Sequence, residues 1–102
     1  TVNKSPTVEQ LIEITLQTAR AVKSYNIEPN IALLTYSNFG SSEGKTPTKM
    51  KEVAAYLHKH HKELVVDGEI QANFALNEEL LEERFPFSKL VGKKVNTLIF
   101  PN

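Results

Sequence analysis

No cysteine occurs anywhere in the chain, and that one absence removes disulfides, thiol nucleophiles and thiolate metal sites together. It fits a reducing interior and predicts a cytoplasmic address. Net charge is missing as well: 12 basic and 12 acidic residues cancel and are spread along the sequence. Without a basic stripe nothing can track a phosphate backbone, so no nucleic-acid partner is expected. Long hydrophobic runs are also absent. The apolar stretches are a few residues each, far short of the roughly 20 a bilayer span requires, so no membrane association is expected. No internal repeat, low-complexity tract or signal-peptide pattern stands out. The chain starts at Thr1 rather than Met, as a trimmed product or a cut piece of a longer chain would.

What is present is ordinary for a globular protein, with 40% hydrophobic and 24% charged residues in a length of 102. A chain of this size forms one compact domain at most, burying roughly 60–70% of its unfolded surface.

The stretch Ile31 to Thr46 organises the rest. Ile31-Ala32-Leu33-Leu34 reads as a strand buried on both faces. The chain then turns polar at Ser37-Asn38-Phe39-Gly40-Ser41-Ser42 and enters a helix at Thr46-Pro47. Strand, Gly/Ser loop and helix N-terminus form the half-unit with which α/β proteins hold ligands. The loop lies at the strand's carboxyl end, where the next helix offers unpaired N–H groups that favour anions.

Upstream, Ser5-Pro6-Thr7 is a helix start, and Thr7-x-x-Gln10 has the spacing of a capping box. The helix is predicted to run to about Ser24, with Val8, Leu11, Ile12, Leu16, Ala19 and Val22 on one stripe. Ile14, Ala21 and Tyr25 widen that stripe beyond what one sheet covers, which predicts a second neighbour. Asn26 to Asn30, with Pro29, leads into a first strand of Ile31 to about Tyr36. The second helix carries Met50, Val53, Ala54 and Leu57 on one face and ends in Lys59-His60-His61-Lys62, cations at the pole that suits them. Leu64-Val65-Val66 is the second strand, closed by Asp67-Gly68, and the crossover between the strands is expected to be parallel and right-handed. Gln71 to Leu76 is ambiguous. Asn77 caps a short helix that Pro86 stops, and Val95 to Phe100 is the third strand. The predicted fold is α/β, a three-layer αβα arrangement with a small parallel sheet in the order helix-strand-helix-strand-helix-strand. Ser37-Asn38, Asp67-Gly68 and Pro101-Asn102 then share one edge of the sheet. Three strands leave open edges, so residues 1–102 read as a single partial domain.

The candidate sites divide unevenly. Gly40-Ser41-Ser42-Glu43-Gly44-Lys45-Thr46 nearly spells a Walker A loop. It has three residues between the glycines where four are needed, and Pro47 removes an N–H where the phosphate nest would form. Two readings stay open: a looser loop for an anion or polar ligand, and a plain exposed turn. His58, His60 and His61 lack a further ligand at metal-site spacing and read as an exposed helix end, so no metal site is assigned. Asp67-Gly68-Glu69 offers carboxylates at the rim but is also common turn chemistry. No nucleophile or base partner is identifiable, and no residue is assigned a catalytic role. Phe39 and Phe85 to Phe87 read as packing. The ligand-binding candidates are Ser37, Asn38, Gly40, Ser41, Ser42, Lys45, Thr46, Asp67, Gly68, Glu69 and Gln71.

Three stretches together resemble the phosphate acetyl/butyryl transferases: Ile31 to Ser42, Leu64 to Gln71 with Ala75-Leu76, and Phe85 to Gly92 running into Leu98 to Asn102. The order and spacing match the middle of that fold over nearly the whole chain. Ser37-Asn38-Phe39-Gly40-Ser41-Ser42 is similar to the version at the C-terminal end of hybrid bacterial NADP-dependent malic enzymes; transferases proper usually carry a Ser/Thr-rich variant. The resemblance implies a parent that decarboxylates malate to pyruvate with NADP and Mg or Mn. It also implies that this transferase-like end senses acetyl-CoA and helps build a homo-oligomer, with no cofactor held by these residues. The alternatives are a fragment of a true phosphate acetyltransferase, and a free-standing binding or oligomerisation module. The transferases' catalytic Ser-Arg and Asp correspond to positions beyond Asn102. Asn73 stands where many relatives have an acidic residue. The resemblance places Ser37 to Ser42 and Asp67 to Gln71 on loops bordering the family's cleft.

Overall fold

The computed structural model describes residues 6–40 and 44–102. Its first helix, α1 (Val8–Lys23), opens at the expected box: Thr7 Oγ1 accepts the Gln10 N–H at 3.1 Å, and Gln10 Oε1 accepts the Thr7 N–H at 2.9 Å. Leu11, Thr15 and Ala19 form its buried stripe, with Val8, Ile12 and Leu16 packed alongside. Thr15 was not expected there. Its hydroxyl donates to the Leu11 carbonyl at 2.7 Å, so a side chain of valine's shape enters the core without an unpaired polar atom. Ile14 and Tyr25, which widen the apolar arc, are 41% and 77% exposed.

The remaining elements are β1 (Asn30–Leu34), α2 (Lys45–His60), β2 (Val65–Ile70), α3 (Ala72–Ala75), α4 (Glu78–Arg84) and β3 (Thr97–Ile99). The strands order as β2-β1-β3, and both pairings are parallel. The central strand is buried from Ile31 through Leu34, as an unbroken apolar run implies for a strand covered on both sides. Ile31 and Leu33 join Leu11, Met50, Val53 and Leu57 in one core beneath α1 and α2. Ala32 and Leu34 join Ala75, Leu81 and Leu90 in a second core beneath α3, α4 and the turns before β3. The three layers are those expected. Each large aliphatic side chain buried this way contributes about 1.5–3 kcal/mol, so the two cores outweigh any single polar contact.

Three boundaries differ from expectation. The first strand stops at Leu34, because Ser37 N–H turns back onto Thr35 Oγ1 at 3.0 Å. The last strand is only Thr97–Ile99, and an asparagine clasp fixes its register. Asn30 N–H donates to Asn96 Oδ1 at 2.8 Å, Asn30 Nδ2 donates to the Lys94 carbonyl at 2.8 Å, and Asn96 N–H donates to the Asn30 carbonyl at 3.1 Å. The third difference is at Asp67-Gly68, which closes no turn and lies inside β2. The ambiguous segment after Gln71 forms the four-residue α3. Asn77 caps α4 as expected, its Oδ1 accepting the Leu80 N–H at 3.0 Å.

Candidate functional site

The site is built on an irregularity in β2. Leu33 pairs with Gly68 but Leu34 pairs with Ile70, so β2 takes two steps where β1 takes one. This bulge re-aims the strand. Val66 faces the first core, yet Ile70, four residues on, faces the second, which plain alternation forbids. Gly68 permits it. Its φ is +153°, and a Cβ there would lie 2.6 Å from the Leu33 carbonyl oxygen and 2.7 Å from Leu33 Cβ, closer than any side chain tolerates.

The bulge separates two acidic residues. Asp67, expected on an open rim, is instead buried in the scaffold. Its Oδ2 accepts the Ser88 hydroxyl and the Lys89 N–H, both at 2.9 Å. Its Oδ1 accepts the Gly68 N–H at 2.9 Å and stands 3.5 Å from His58 Nε2. That nitrogen is also 2.8 Å from the Val66 carbonyl, an acceptor only, so Nε2 carries a hydrogen. Ser88 and Lys89 went unrecognised in the sequence because nothing local ties them to a residue about 20 positions earlier.

Glu69 is the extra residue of the bulge and points at the loop. Its Oε1 accepts the Gly40 N–H at 2.7 Å and its main-chain oxygen accepts the Phe39 N–H at 2.8 Å. Two residues on, Gln71 N–H donates to Asn38 Oδ1 at 2.7 Å, Asn38 Nδ2 donates to Gln71 Oε1 at 2.9 Å, and Gln71 Nε2 donates to the Tyr36 carbonyl at 2.6 Å. Thus Ser37, Asn38, Gly40, Glu69 and Gln71 are brought together, while Asp67 and Gly68 belong to the strand below. Ser37 and Asn38 are buried at 1% and 9% exposure. Phe39 anchors the same loop to the second core, its ring 5.0 Å from Phe85 and 5.1 Å from Phe87.

Lys45 and Thr46 sit in the first turn of α2, Lys45 exposed and Thr46 half-buried. Among the described residues no side chain caps that turn at Gly44, and Tyr36 Oη lies 2.6 Å from where a Cβ on Gly44 would stand. Lys51 Nζ lies 3.5 Å from the corresponding point on Gly40, which adds a cation beside the loop. Ser41 and Ser42 lie outside the described residues. The three histidines do not converge on one point: His58 meets the β2 backbone and Asp67, His60 lies 4.5 Å and His61 6.1 Å from the Tyr56 ring, and His61 stands 3.9 Å from the Glu63 carboxylate.

At the carboxyl ends of β1 and β3 a cleft of about 270 Å³ is lined by Leu34, Thr35, Tyr36, Ala72, Phe100 and Pro101. None of these six was among the expected ligand-binding residues, although Thr35 and Phe100 directly follow strands, where α/β crevices open. The apolar recess adjoins the Tyr36–Gln71 contact, while Lys45 and the start of α2 line a separate opening of about 520 Å³ with Val8, Thr48, Lys49 and Glu52. The recess suits an apolar group and the lysine-lined opening an anionic one. Among the described residues no helix is long and apolar enough to cross a membrane.

A family model described as phosphate acetyl/butaryl transferase matches residues 1–102. An NADP-dependent malic enzyme of Haemophilus influenzae is 43% identical over 101 residues, covering 99% of this chain and 13% of that protein. A phosphate acetyltransferase of Clostridium acetobutylicum is 35% identical over 102 residues, covering 99% of this chain and 30% of the relative. A solved phosphotransacetylase from Staphylococcus aureus superposes with a TM-score of 0.87 at 27% identity, covering 100% of this chain and 32% of the other. One from Streptococcus pyogenes gives 0.80 at 33% identity, with 100% and 31% covered. The chain therefore spans under a third of the length of each relative.

Proposed function

The chain belongs to the phosphate acetyl/butaryl transferase family, and from that premise we propose that it is part of the transferase-like region of an NADP-dependent malic enzyme. In this reading the region senses acetyl-CoA and supports assembly into a cytoplasmic homo-oligomer. Malate oxidation with NADP and a divalent metal is left to the rest of the parent. The observation that carries the reading is the 43% identity to a malic enzyme against 35% to a transferase over the same stretch. The geometry agrees with a sensing role. Asp67 and Glu69 are both buried, and Asn73, two residues past Gln71, stands where many relatives have an acidic residue.

Acetyl-CoA combines phosphates with an uncharged pantetheine arm, and the molecule offers an opening lined by Lys45 and Lys49 at the α2 start and, separately, an apolar recess at the strand ends. Titration of acetyl-CoA into the full-length parent by calorimetry tests this. Asn38→Ala and Lys45→Ala are each expected to weaken binding, and unchanged affinity in both removes the loop from the site. Turnover of malate with NADP by this chain alone would defeat the reading outright.

A second reading, part of a true phosphate acetyltransferase converting acetyl-CoA and phosphate to acetyl phosphate and CoA, is supported by the structural match to two phosphotransacetylases. The residues that follow Asn102 in the parent discriminate the two. A Ser-Arg pair with a partner Asp favours the transferase.

A further inference from the structure

A buried carboxylate is costly to leave half satisfied, and Glu69 is left so. It is 1% exposed, its Oε1 takes the Gly40 N–H, and its Oε2 is buried with no partner. A residue kept only to fill space would be better apolar, so its position calls for another account. The bulge supplies one, since the extra residue of β2 is the one that reaches the loop. The residue before Gly40 is unusual as well: Phe39 has a positive φ of 45°, a conformation that a residue with a side chain rarely adopts without outside support.

We infer that Glu69 is a positioning residue. Through Oε1 it fixes Gly40, and with the Asn38–Gln71 pair it gives the Ser37–Gly40 loop the shape in which that loop meets its ligand. The identity of the ligand rests on the acetyl-CoA reading; the clamp on Gly40 does not.

The experiment uses the full-length parent, with amide hydrogen exchange and acetyl-CoA calorimetry on Glu69→Ala and Glu69→Gln. In Glu69→Ala the Gly40 amide is expected to exchange about tenfold faster while the amides of Leu33 and Val66 stay protected. The dissociation constant for acetyl-CoA is expected to rise about tenfold. Glu69→Gln, whose amide oxygen still accepts the Gly40 N–H, is expected to restore both to within about threefold of wild type. Unchanged Gly40 exchange in Glu69→Ala overturns the inference. So does an equal loss in both variants with the core amides opening together, the mark of a residue needed only for packing. If wild type binds no acetyl-CoA, the functional reading falls, and the Gly40 exchange still decides the clamp.

Discussion

Asp67 and Glu69 stand two residues apart on one strand, both buried, at 6% and 1% exposure. Asp67 has each oxygen engaged, and every partner belongs to the framework: its own strand, the turn at Ser88-Lys89, and His58 of α2. Glu69 engages one oxygen, and the partner is a loop. The difference teaches how to read a buried acid. A saturated one has its geometry fixed by the fold, and removing it leaves several orphaned donors. A half-saturated one adds little to the stability of the core, so its retention points to the shape of what it holds.

The largest expected effect falls on the saturated side. Asp67→Ala strands the buried Ser88 hydroxyl and the partly buried Lys89 N–H and should cost about 3 kcal/mol in urea unfolding. A loss no larger than that of Glu69→Ala would break the contrast. Gly68→Ala comes next, at about 2 kcal/mol, because the new Cβ meets Leu33 and the backbone is in a glycine region. It should also release Gly40, since the bulge aims Glu69, and exchange at the Gly40 amide checks that. Asn77→Ala removes the α4 cap, which bonds neither acid, and should cost about 1 kcal/mol without altering Gly40 exchange. Least of all, Glu13→Ala breaks an exposed 3.6 Å pair with Arg20 and should cost under about 0.5 kcal/mol by the same unfolding measurement.

Much of the frame was legible in the residues themselves. The capping box at Thr7, the buried run Ile31 to Leu34 and the Met50-Val53-Ala54-Leu57 face each depend on neighbours within a turn or a strand. The loop after β1 was legible as polar and as lying at the strand's carboxyl end. What escaped was the bulge. Asp-Gly reads locally as a turn, because glycine's tolerance for positive φ serves turns and bulges alike. Leu33, 35 positions away by sequence number, decides between them through its close approach to Gly68. The Asn38–Gln71 and Asp67–Ser88 pairs escaped for the same reason, being contacts between residues 33 and 21 positions apart. Asp67 was therefore expected on an open edge that it does not reach.

The asparagine clasp bears on the order in which the sheet assembles. Asn30 and Asn96 are 66 positions apart, and a contact that distant repays the entropy of ring closure only after the intervening chain has condensed. β3, three residues long, has few hydrogen bonds of its own with which to nucleate. The β1–α2–β2 half is therefore expected to form the template, with the final strand zipping on last, guided into place by one amide side chain at each end of the closing ring.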